Sequence, residues 1–363
     1  MKDYINEVNR REVQITRFAS YLLKEYGYPN LVDAYDSARA ILLSAESVTS
    51  KTKLKAVERQ ILKEIKKPFT DVLFSIEQEM QKFAIEEAAY DANLFTEASG
   101  AVVKNPTNEA VIAAATKNYM TLETASQAVS APFDKFATAN VNSVMDTIIT
   151  QIAAGFSKKE TVPELIARVK AVTNGMLKNH IETLVRTGVS FYAQQARNAM
   201  RDENLDIIER EVPVVTFDNR TSLICMSISD RYPEGWKAGE SPIGYPPYHY
   251  NCRTVIIFWT GGDFEWEGTR ASVGGSHSKE AFEAAEDGKL SFNKRKDKDY
   301  FNPTPIPAKT PFTKWLKSQP YWYIKQQLGT KRAEMFIKGD LQLARLTDKD
   351  LKPLSLEQLD KRG

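Results

Sequence analysis

The rarest reactive side chains of this sequence lie together in one short block. The chain has two cysteines, Cys225 and Cys252, and one of its three histidines, His249, lies three residues before the second cysteine. Thiolate sulfur and imidazole nitrogen are ligands that Zn²⁺ prefers, and His249 and Cys252 are close enough in sequence to bind one ion from a single turn. The block therefore indicates a metal site, a cross-link or a pair of structural thiols.

Three interpretations of these side chains remain open. A zinc ion would be bound by Cys225, His249 and Cys252, with Asp218 or a water molecule as the fourth ligand. Free cysteine is among the most buried residue types, so two thiols beside a core strand are also common without any metal. A disulfide between the two cysteines would need an oxidising medium. The predicted cofactor is accordingly either none or zinc.

Two arginines, Arg220 and Arg253, frame the block. A guanidinium group can hold a loop together by donating several hydrogen bonds to backbone carbonyls or to Asp218. That structural role is the main prediction for both arginines, and binding of phosphate or DNA is the alternative. Asp218, Ser222 and His249 can also be drawn as a catalytic triad, although nothing in their spacing requires one.

Hydrophobic periodicity predicts that the first half of the chain is helical. Apolar residues at spacings of three and four over residues 69–85 indicate a long amphipathic helix, and Pro68 is expected to end the basic helix before it. Another long helix is predicted over residues 176–202, with one apolar stripe facing inward. That stripe consists of Ile181, Leu184, Val185, Val189, Tyr192, Ala196 and Met200. Further helices are predicted over residues 7–26, 31–45, 108–128, 133–154 and 162–174.

The pattern changes after residue 210. Short β-branched runs predict strands at residues 211–217 and 254–259, and the Gly- and Pro-rich stretch 232–247 between them predicts a loop. Polar residues 261–309 predict an extended arm. Capping signals then predict four short helices in a compact tail. Thr310 is the predicted N-cap of the first, Gly329 and Gly339 are predicted to end the second and third, and Ser355 and Gln358 fit a capping box for the fourth. The expected fold class is α+β and predominantly α-helical, with long N-terminal helices, a small α+β domain and a short helical tail.

The overall composition excludes several classes of protein. At 363 residues the chain exceeds one typical domain, so two or three units are expected. Its 49 basic and 47 acidic residues leave a formal net charge of +2, which gives no global argument for nucleic-acid binding. Two cysteines are too few for a disulfide scaffold, no apolar run approaches the length of a membrane span, and the N-terminus does not resemble a secretory signal. Folding in a cytoplasm is expected.

Two local clusters of basic residues are present. Residues 51–67 contain seven lysines and arginines, a run typical of a solvated helix face. A second cluster lies in the polar arm and is a candidate for nucleic-acid contact, although it is equally typical of a soluble arm. It consists of Lys294, Arg295, Lys296 and Lys298. No Walker-type loop, dinucleotide fingerprint or His-Glu-x-x-His motif is found.

The block resembles the motif of a known family, the tailed-phage Mu F-like minor head proteins, also called the phage head morphogenesis family. The upstream Arg186-Thr187 pair is similar to an Arg-Thr element of that family, and residues 328–341 are similar to sequences that follow the domain. The resemblance covers residues 160–260 and the tail, whereas the N-terminal half matches only in helical character. The matching block residues are Asp218, Arg220, Thr221, Ser222, Cys225, Pro246, Pro247, His249, Asn251, Cys252 and Arg253.

The resemblance implies a non-enzymatic virion component inside the phage head, near the portal, that assists head assembly and DNA packaging or delivery. The implied partners are the portal protein, the major capsid or scaffolding protein and packaged double-stranded DNA, and the host cytoplasm is the location during assembly. Relatives carry a further cysteine where this chain has Ser222, which favours a hydrogen-bonded version of the turn. Two alternatives remain: a DNA-binding ejection protein, and an enzyme such as a phage-borne ADP-ribosyltransferase-type effector.

The resemblance also implies a division into four regions. Residues 1–155 form a helical region that contacts portal or capsid, and residues 156–260 form the Mu F-like α+β domain. Residues 261–309 form the polar arm, and residues 310–363 form the helical tail.

Overall fold

The computed structural model describes residues 4–45, 48–123, 127–261, 269–288 and 300–361. Most residues of these segments are helical, and a smaller number form short antiparallel strands. This confirms the predicted, predominantly α-helical α+β class. The helices are α1 (Tyr4–Leu22), α2 (Tyr28–Ser44), α3 (Lys51–Ser99), α4 (Asn108–Lys117), α5 (Phe133–Ser157), α6 (Val162–Val172), α7 (Lys178–Asp202), α8 (Leu223–Arg231), α9 (Lys279–Glu286), α10 (Phe312–Lys317), α11 (Tyr321–Leu328), α12 (Thr330–Lys338) and α13 (Leu356–Asp360).

The strands of the described segments form three small antiparallel sheets. One sheet is a hairpin of β1 and β2, the second has β3 between β4 and β5, and the third pairs β6 with β7. The strands are β1 (Met120–Glu123), β2 (Ala128–Ala131), β3 (Arg210–Val214), β4 (Trp236–Lys237), β5 (Val255–Trp259), β6 (Thr269–Gly275) and β7 (Phe301–Pro307).

Helices α3 and α7 form the centre of the N-terminal half. Helix α3 has 49 residues, which corresponds to a length of roughly 73 Å at the helical rise per residue. Helix α7 packs along it, and their apolar side chains join one hydrophobic cluster with residues of α1, α2, α4, α5 and α6. All seven residues predicted to face inward on α7 are buried, so the periodicity of that segment was sufficient to predict its buried face.

The expectation that Pro68 ends the basic helix is wrong, because α3 continues through it. Apolar residues on both sides of the proline, Ile65 and Phe69, are buried in the same cluster. Their burial outweighs the roughly 3 kcal/mol that an interior proline costs a helix. Pro68 and Glu64 are both exposed, so water can reach the Glu64 carbonyl that Pro68 leaves without a backbone donor.

The helix predicted over residues 108–128 is also too long. Helix α4 ends at Lys117, and the chain then forms the β1–β2 hairpin. Met120 and Leu122 are buried while Thr121 between them is exposed, which is the two-residue period of a strand. The Thr121 and Ser130 hydroxyls lie 2.8 Å apart across the hairpin.

The predicted extended arm is replaced by folded structure in the described parts of residues 261–309. Strands β6 and β7 pair along seven residues each, and α9 lies between them in sequence. Phe301 is fully buried against Trp322 and Tyr323 of α11, and the Tyr323 hydroxyl donates to the Val273 carbonyl at 2.6 Å. The polar composition concealed this apolar anchor, which fixes the arm onto the tail.

The described part of the tail contains four short α-helices, and the capping predictions for the last three are confirmed, whereas α10 begins at Phe312 with Pro311, not Thr310, as its N-cap. Gly329 and Gly339 follow α11 and α12 with φ angles of 78° and 93°, a conformation that glycine adopts without strain. Ser355 and Gln358 form the predicted capping box of α13.

A buried ionic cluster ties three of the N-terminal helices together. Arg197 of α7 donates to Asp91 of α3 at 2.9 and 3.2 Å and to Glu87 at 3.3 Å. Arg11 of α1 donates to the other oxygen of Glu87 at 2.7 Å. Burial and the neighbouring charge of Asp91 raise the pKa of Glu87, although both arginines oppose that change. Each group of the cluster therefore depends on its partners to remain buried.

Replacing Arg197 with methionine is expected to lower the free energy of unfolding at pH 7 by about 3–5 kcal/mol, because Glu87 and Asp91 stay buried without their main cation. Urea unfolding followed by circular dichroism measures the change. Lys67→Met is the matched control, since it removes an exposed ion pair with Asp71 and is expected to cost no more than about 1 kcal/mol. Equal losses in the two variants would contradict the buried cluster.

Candidate metal centre and the loops that build it

The first half of the block is a turn that leads into an unpredicted helix. Ser222 is the N-cap of α8, and its hydroxyl accepts a hydrogen bond from the Cys225 amide at 3.1 Å. This cap places Cys225 in the first turn of α8. The sequence concealed the helix because the run from Leu223 to Met226 is apolar throughout and lacks a helical period.

The second half of the block is a loop that enters β5. The Cys252 amide donates to the His249 carbonyl at 3.1 Å, and Asn251 within that turn has a φ of 57°. Asparagine tolerates this left-handed conformation better than most residues. The Asn251 amide also donates to the Thr187 hydroxyl of α7 at 3.0 Å, so the loop is attached directly to the helical half.

An ion pair between the buried Asp218 and the partly buried Arg253 joins the two halves. The Asp218 carboxylate accepts from both terminal nitrogens of Arg253, at 2.6 and 2.7 Å, and from the Arg220 amide at 2.9 Å. Thr221 donates to the Thr216 carbonyl at 2.5 Å and closes the turn. Burial raises the pKa of Asp218, but the hydrogen bonds and charge of Arg253 outweigh it and hold that pKa below its usual range. Arg253 thus forms the kind of contact expected of a structural arginine.

The ion pair brings the two cysteines and the histidine together. The Cys225 and Cys252 sulfurs lie 3.8 Å apart, and His249 Nε2 lies 3.1 Å from the Cys225 sulfur. The three ligand atoms lie within 4.8 Å of one another. His249 Nδ1 lies 2.9 Å from the Tyr250 carbonyl, which orients Nε2 toward the sulfurs. Both cysteines are free and buried.

The positions of these atoms fit a tetrahedral metal ion with a small adjustment. Zinc–sulfur bonds of about 2.3 Å place two sulfurs about 3.8 Å apart around a tetrahedral ion, which is the observed separation. The same geometry needs about 3.6 Å between sulfur and nitrogen, so the His249 ring would withdraw by roughly 0.5 Å. The Ser222 hydroxyl lies 2.8 Å from Nε2, beside the trio. The trio has the composition of a metal site with one position left for a weaker ligand.

The electrostatics of the trio separate the two thiols. Burial raises the pKa of Cys252, but the hydrogen bond from Cys225 and the charge of His249 bring it well below its usual value. The hydrogen bond to Cys252 and burial raise the pKa of Cys225 well above its usual value. Burial lowers the pKa of His249, yet the negative charge of Cys252 more than compensates and the pKa is raised. A metal ion is bound by deprotonated thiols and by a neutral imidazole nitrogen, so ion binding would displace protons from this trio.

The residues do not assemble into a serine–histidine–aspartate triad. Ser222 contacts His249 Nε2, as a triad nucleophile would, but Nδ1 faces a backbone carbonyl and not a carboxylate. Asp218 is engaged with Arg253 and the Arg220 amide. The third member of the triad is therefore committed elsewhere.

Two other predicted positions, Arg186 and Arg220, have exposed side chains. Arg186 is 43% exposed in its side chain and pairs with Glu182 at 3.3 Å, while its neighbour Thr187 contacts the block. The Arg220 side chain is exposed, while its backbone amide donates to Asp218 and its charge contributes to lowering the pKa of that carboxyl group. The candidate nucleic-acid cluster of Lys294, Arg295, Lys296 and Lys298 lies outside the described residues.

Sequence reasoning missed a second polar network beside the block. Arg201 of α7 donates to Glu211 of β3 at 2.7 Å, and Glu211 also accepts from Trp236 at 2.9 Å and Tyr245 at 2.8 Å. A cleft of about 630 Å³ opens next to this network, lined in part by Asn198 of the same helix. The sequence signal for this network was the set of polar residues on α7. From sequence alone, buried polar residues cannot be distinguished from exposed ones, because the elements that pack against the helix are not known.

Comparison with known proteins gives no relative. No protein-family model matches the chain, and no curated protein or solved structure is significantly similar to it. In the described segments, no helix is both long and apolar enough to cross a membrane.

Replacing Asp218 with asparagine is expected to destabilise the protein by about 1.5–3 kcal/mol at pH 7, because Arg253, whose side chain is 28% exposed, loses the charge-assisted hydrogen bonds that it donates to the carboxylate. The folded-state pKa of Asp218 is lowered, so its stabilising contribution is present above its unfolded pKa of about 3.9 and is lost as the pH falls through the folded pKa. The difference between the two proteins should therefore shrink below about pH 4.

Urea unfolding at pH 7 and at pH 3 measures both effects. Asp71→Asn is the matched control, because it changes an exposed aspartate and is expected to have little effect at either pH. A difference between the parent protein and Asp218→Asn that stays constant down to pH 2.5 would refute the assigned role of the ion pair.

Proposed function

We propose that this chain is a minor capsid protein of the tailed-phage head morphogenesis type, located inside the head near the portal. The observation that supports the proposal is that the family-like motif folds into one closed assembly. Residues from its two halves, 218–225 and 249–253, meet through the Asp218–Arg253 ion pair and the Cys225–His249–Cys252 trio. A motif whose residues build a structural turn has a role in that geometry alone and does not require a reaction.

The same geometry favours a non-enzymatic role. Asp218 and Arg253 satisfy each other, the His249 ring is 2.9 Å from a backbone carbonyl at Nδ1, and the cysteines face each other in the interior. Helix α3, at roughly 73 Å, offers a long rigid surface for packing against portal, major capsid or scaffolding proteins. Assistance in head assembly and in DNA packaging or delivery is the role that this proposal assigns.

Purification of phage heads tests the proposed function. Heads of the virus that encodes this chain are expected to contain it in few copies, and immunogold labelling or asymmetric cryo-electron microscopy should locate it at the portal vertex. Heads lacking the portal protein are the control and should lack this chain. Absence of the chain from both mature and assembling heads would exclude the proposed function.

We also propose that the Cys225–His249–Cys252 trio binds one zinc ion, with Ser222 or water as the fourth ligand. The 3.8 Å separation of the sulfurs supports this choice. Bound zinc would hold α8 to the loop before β5 and so stabilise the turn; the chain's own residues hold that turn through Asp218 and Arg253 in any case.

Elemental analysis with thiol titration tests the zinc site. Protein purified under reducing conditions and loaded with zinc is expected to retain about one ion per chain, and Cys252→Ser should abolish retention. Ser222→Cys supplies a third thiolate and is expected to slow zinc loss to a chelator by at least about tenfold. Ser318→Cys, which adds an exposed thiol outside the trio, is the matched control. Two titratable thiols without retained zinc in the parent protein would rule the site out.

A further inference from the structure

The first third of α3 concentrates the positive charge of the chain. Residues 51–67 contain seven basic and two acidic residues, a net charge of +5. The whole chain carries +2, so the remaining residues carry −3. Five of the basic residues recur at every fourth position and are named here the basic stripe. The basic stripe consists of Lys51, Lys55, Arg59, Lys63 and Lys67.

The basic stripe lies on the outer face of α3. The inner face of the same segment is formed by Val57, Ile61 and Ile65, which are no more than 3% exposed and belong to the large hydrophobic cluster. A helix turns about 100° per residue, so each of positions 51, 55, 59, 63 and 67 lies about 40° further around the axis than the one before. They form a slowly winding row that stays roughly opposite the buried row of Val57, Ile61 and Ile65. All five side chains are exposed. The charge is therefore presented to solvent along one continuous line.

Carboxylates do not neutralise this line. Among the described residues, Lys67 pairs with Asp71 at 2.6 Å, whereas Lys51, Lys55, Arg59 and Lys63 form no ion pair. Like charges four residues apart on a helix repel each other, and the basic stripe contains four such steps in succession. The basic stripe therefore weakens the helix in the absence of a counter-charge. This favours an external anion as the group that compensates its charge.

The regular spacing identifies the kind of anion. Four residues of helix rise about 6 Å, so the basic stripe is a row of five cations over about 24 Å. Duplex DNA presents a dense and regular row of phosphate charges, which exposed lysines and arginines neutralise with release of counterions. The basic stripe and the phosphate backbone are both repeating rows of charge, of opposite sign. Their attraction needs no contact with the bases.

Other polyanions fit the surface less well. A helix that binds a lipid surface inserts its apolar face, but Val57, Ile61 and Ile65 are already buried in the protein. Proteins that bind single strands stack bases on aromatic side chains, and residues 51–67 contain no aromatic residue. We infer that the basic stripe of α3 binds the phosphate backbone of duplex DNA without sequence preference. The inference stands independently of the proposed capsid function, since it concerns affinity of the purified chain alone.

Fluorescence anisotropy with a labelled 30-base-pair duplex tests the inference. Binding is measured between 50 and 200 mM KCl for the parent protein and for the triple variant Lys55→Gln, Arg59→Gln and Lys63→Gln. The parent should bind with a steep salt dependence. The variant should bind at least about tenfold more weakly at 50 mM salt, and its slope of log affinity against log salt should be smaller by about 2.7, from three lost phosphate contacts.

A matched triple variant controls for net charge. Lys309→Gln, Lys331→Gln and Lys338→Gln remove the same charge from exposed lysines outside α3 and should leave affinity and slope unchanged. Equal loss in both triple variants overturns the inference in favour of a general charge effect. Absence of parent binding at 50 mM salt overturns it as well, as does binding to vesicles with 30% phosphatidylserine but not to the duplex.

A thermal melt distinguishes lost contact from lost structure. Removing three members of the basic stripe relieves repulsion along α3, so the variant should melt at the same temperature as the parent or higher at low salt. Weaker DNA binding with an intact melt supports the inference. Weaker DNA binding together with a clear fall in melting temperature counts against the inference, because the three residues would then contribute to folding.

Discussion

The hydrogen bonds of one buried carboxylate hold the different parts of this molecule in register. The Asp218 carboxylate accepts hydrogen bonds from both terminal nitrogens of Arg253, from the Arg220 amide and, at 3.5 Å, from the Thr221 hydroxyl, and Asp218 is 2% exposed. Its own carbonyl accepts from Gln327 of the tail at 2.8 Å. A charge buried to this extent is stable only if its partners stay in place. The positions of the turn and of the loop before β5 are therefore linked through the Asp218 side chain, and that of α11 through the backbone carbonyl of the same residue.

Residues next to Asp218 and in the loop before β5 form further hydrogen bonds to β6, β1 and α7. The Phe217 carbonyl, next in sequence, accepts from Val273 of β6 at 2.8 Å, and the Tyr248 carbonyl accepts from Glu123 of β1 at 3.1 Å. Thr187 of α7 receives the Asn251 amide. The hairpin and the arm thus contact the chain at Tyr248 and Phe217 through backbone–backbone hydrogen bonds, which do not depend on side-chain identity in those elements. The contacts to α7 and to the tail instead use the side chains of Thr187 and Gln327, so they require residues that can form a hydrogen bond.

The sequence predicted those parts of the structure in which local chemistry decides the outcome. The apolar period of α7 and the glycines after α11 and α12 act on their own segments, and both predictions were confirmed. The rarity of cysteine and histidine directed attention to the correct block. Contacts between distant residues were not predictable: Arg197 and Asp91 are 106 positions apart, and nothing local distinguishes them from exposed residues. Pro68 failed as a helix terminator for the same reason, because burial of its neighbours by other helices decides the result.

The charged residues at the two ends of α3 lie in opposite environments, buried at the C-terminal end and exposed at the N-terminal end. At its C-terminal end, Glu87 and Asp91 are buried and are held by Arg197 and Arg11 from two other helices, so this end cannot move independently of the core. At its N-terminal end the charged face is exposed, and only the inner face is held, by burial of Val57, Ile61 and Ile65. An interior proline lies between the two ends, yet buried apolar residues continue on both sides of it. A row of like charges would tend to unfold an isolated helix. Packing at the C-terminal end and along the inner face keeps this segment helical, and so holds the exposed charges at a regular spacing.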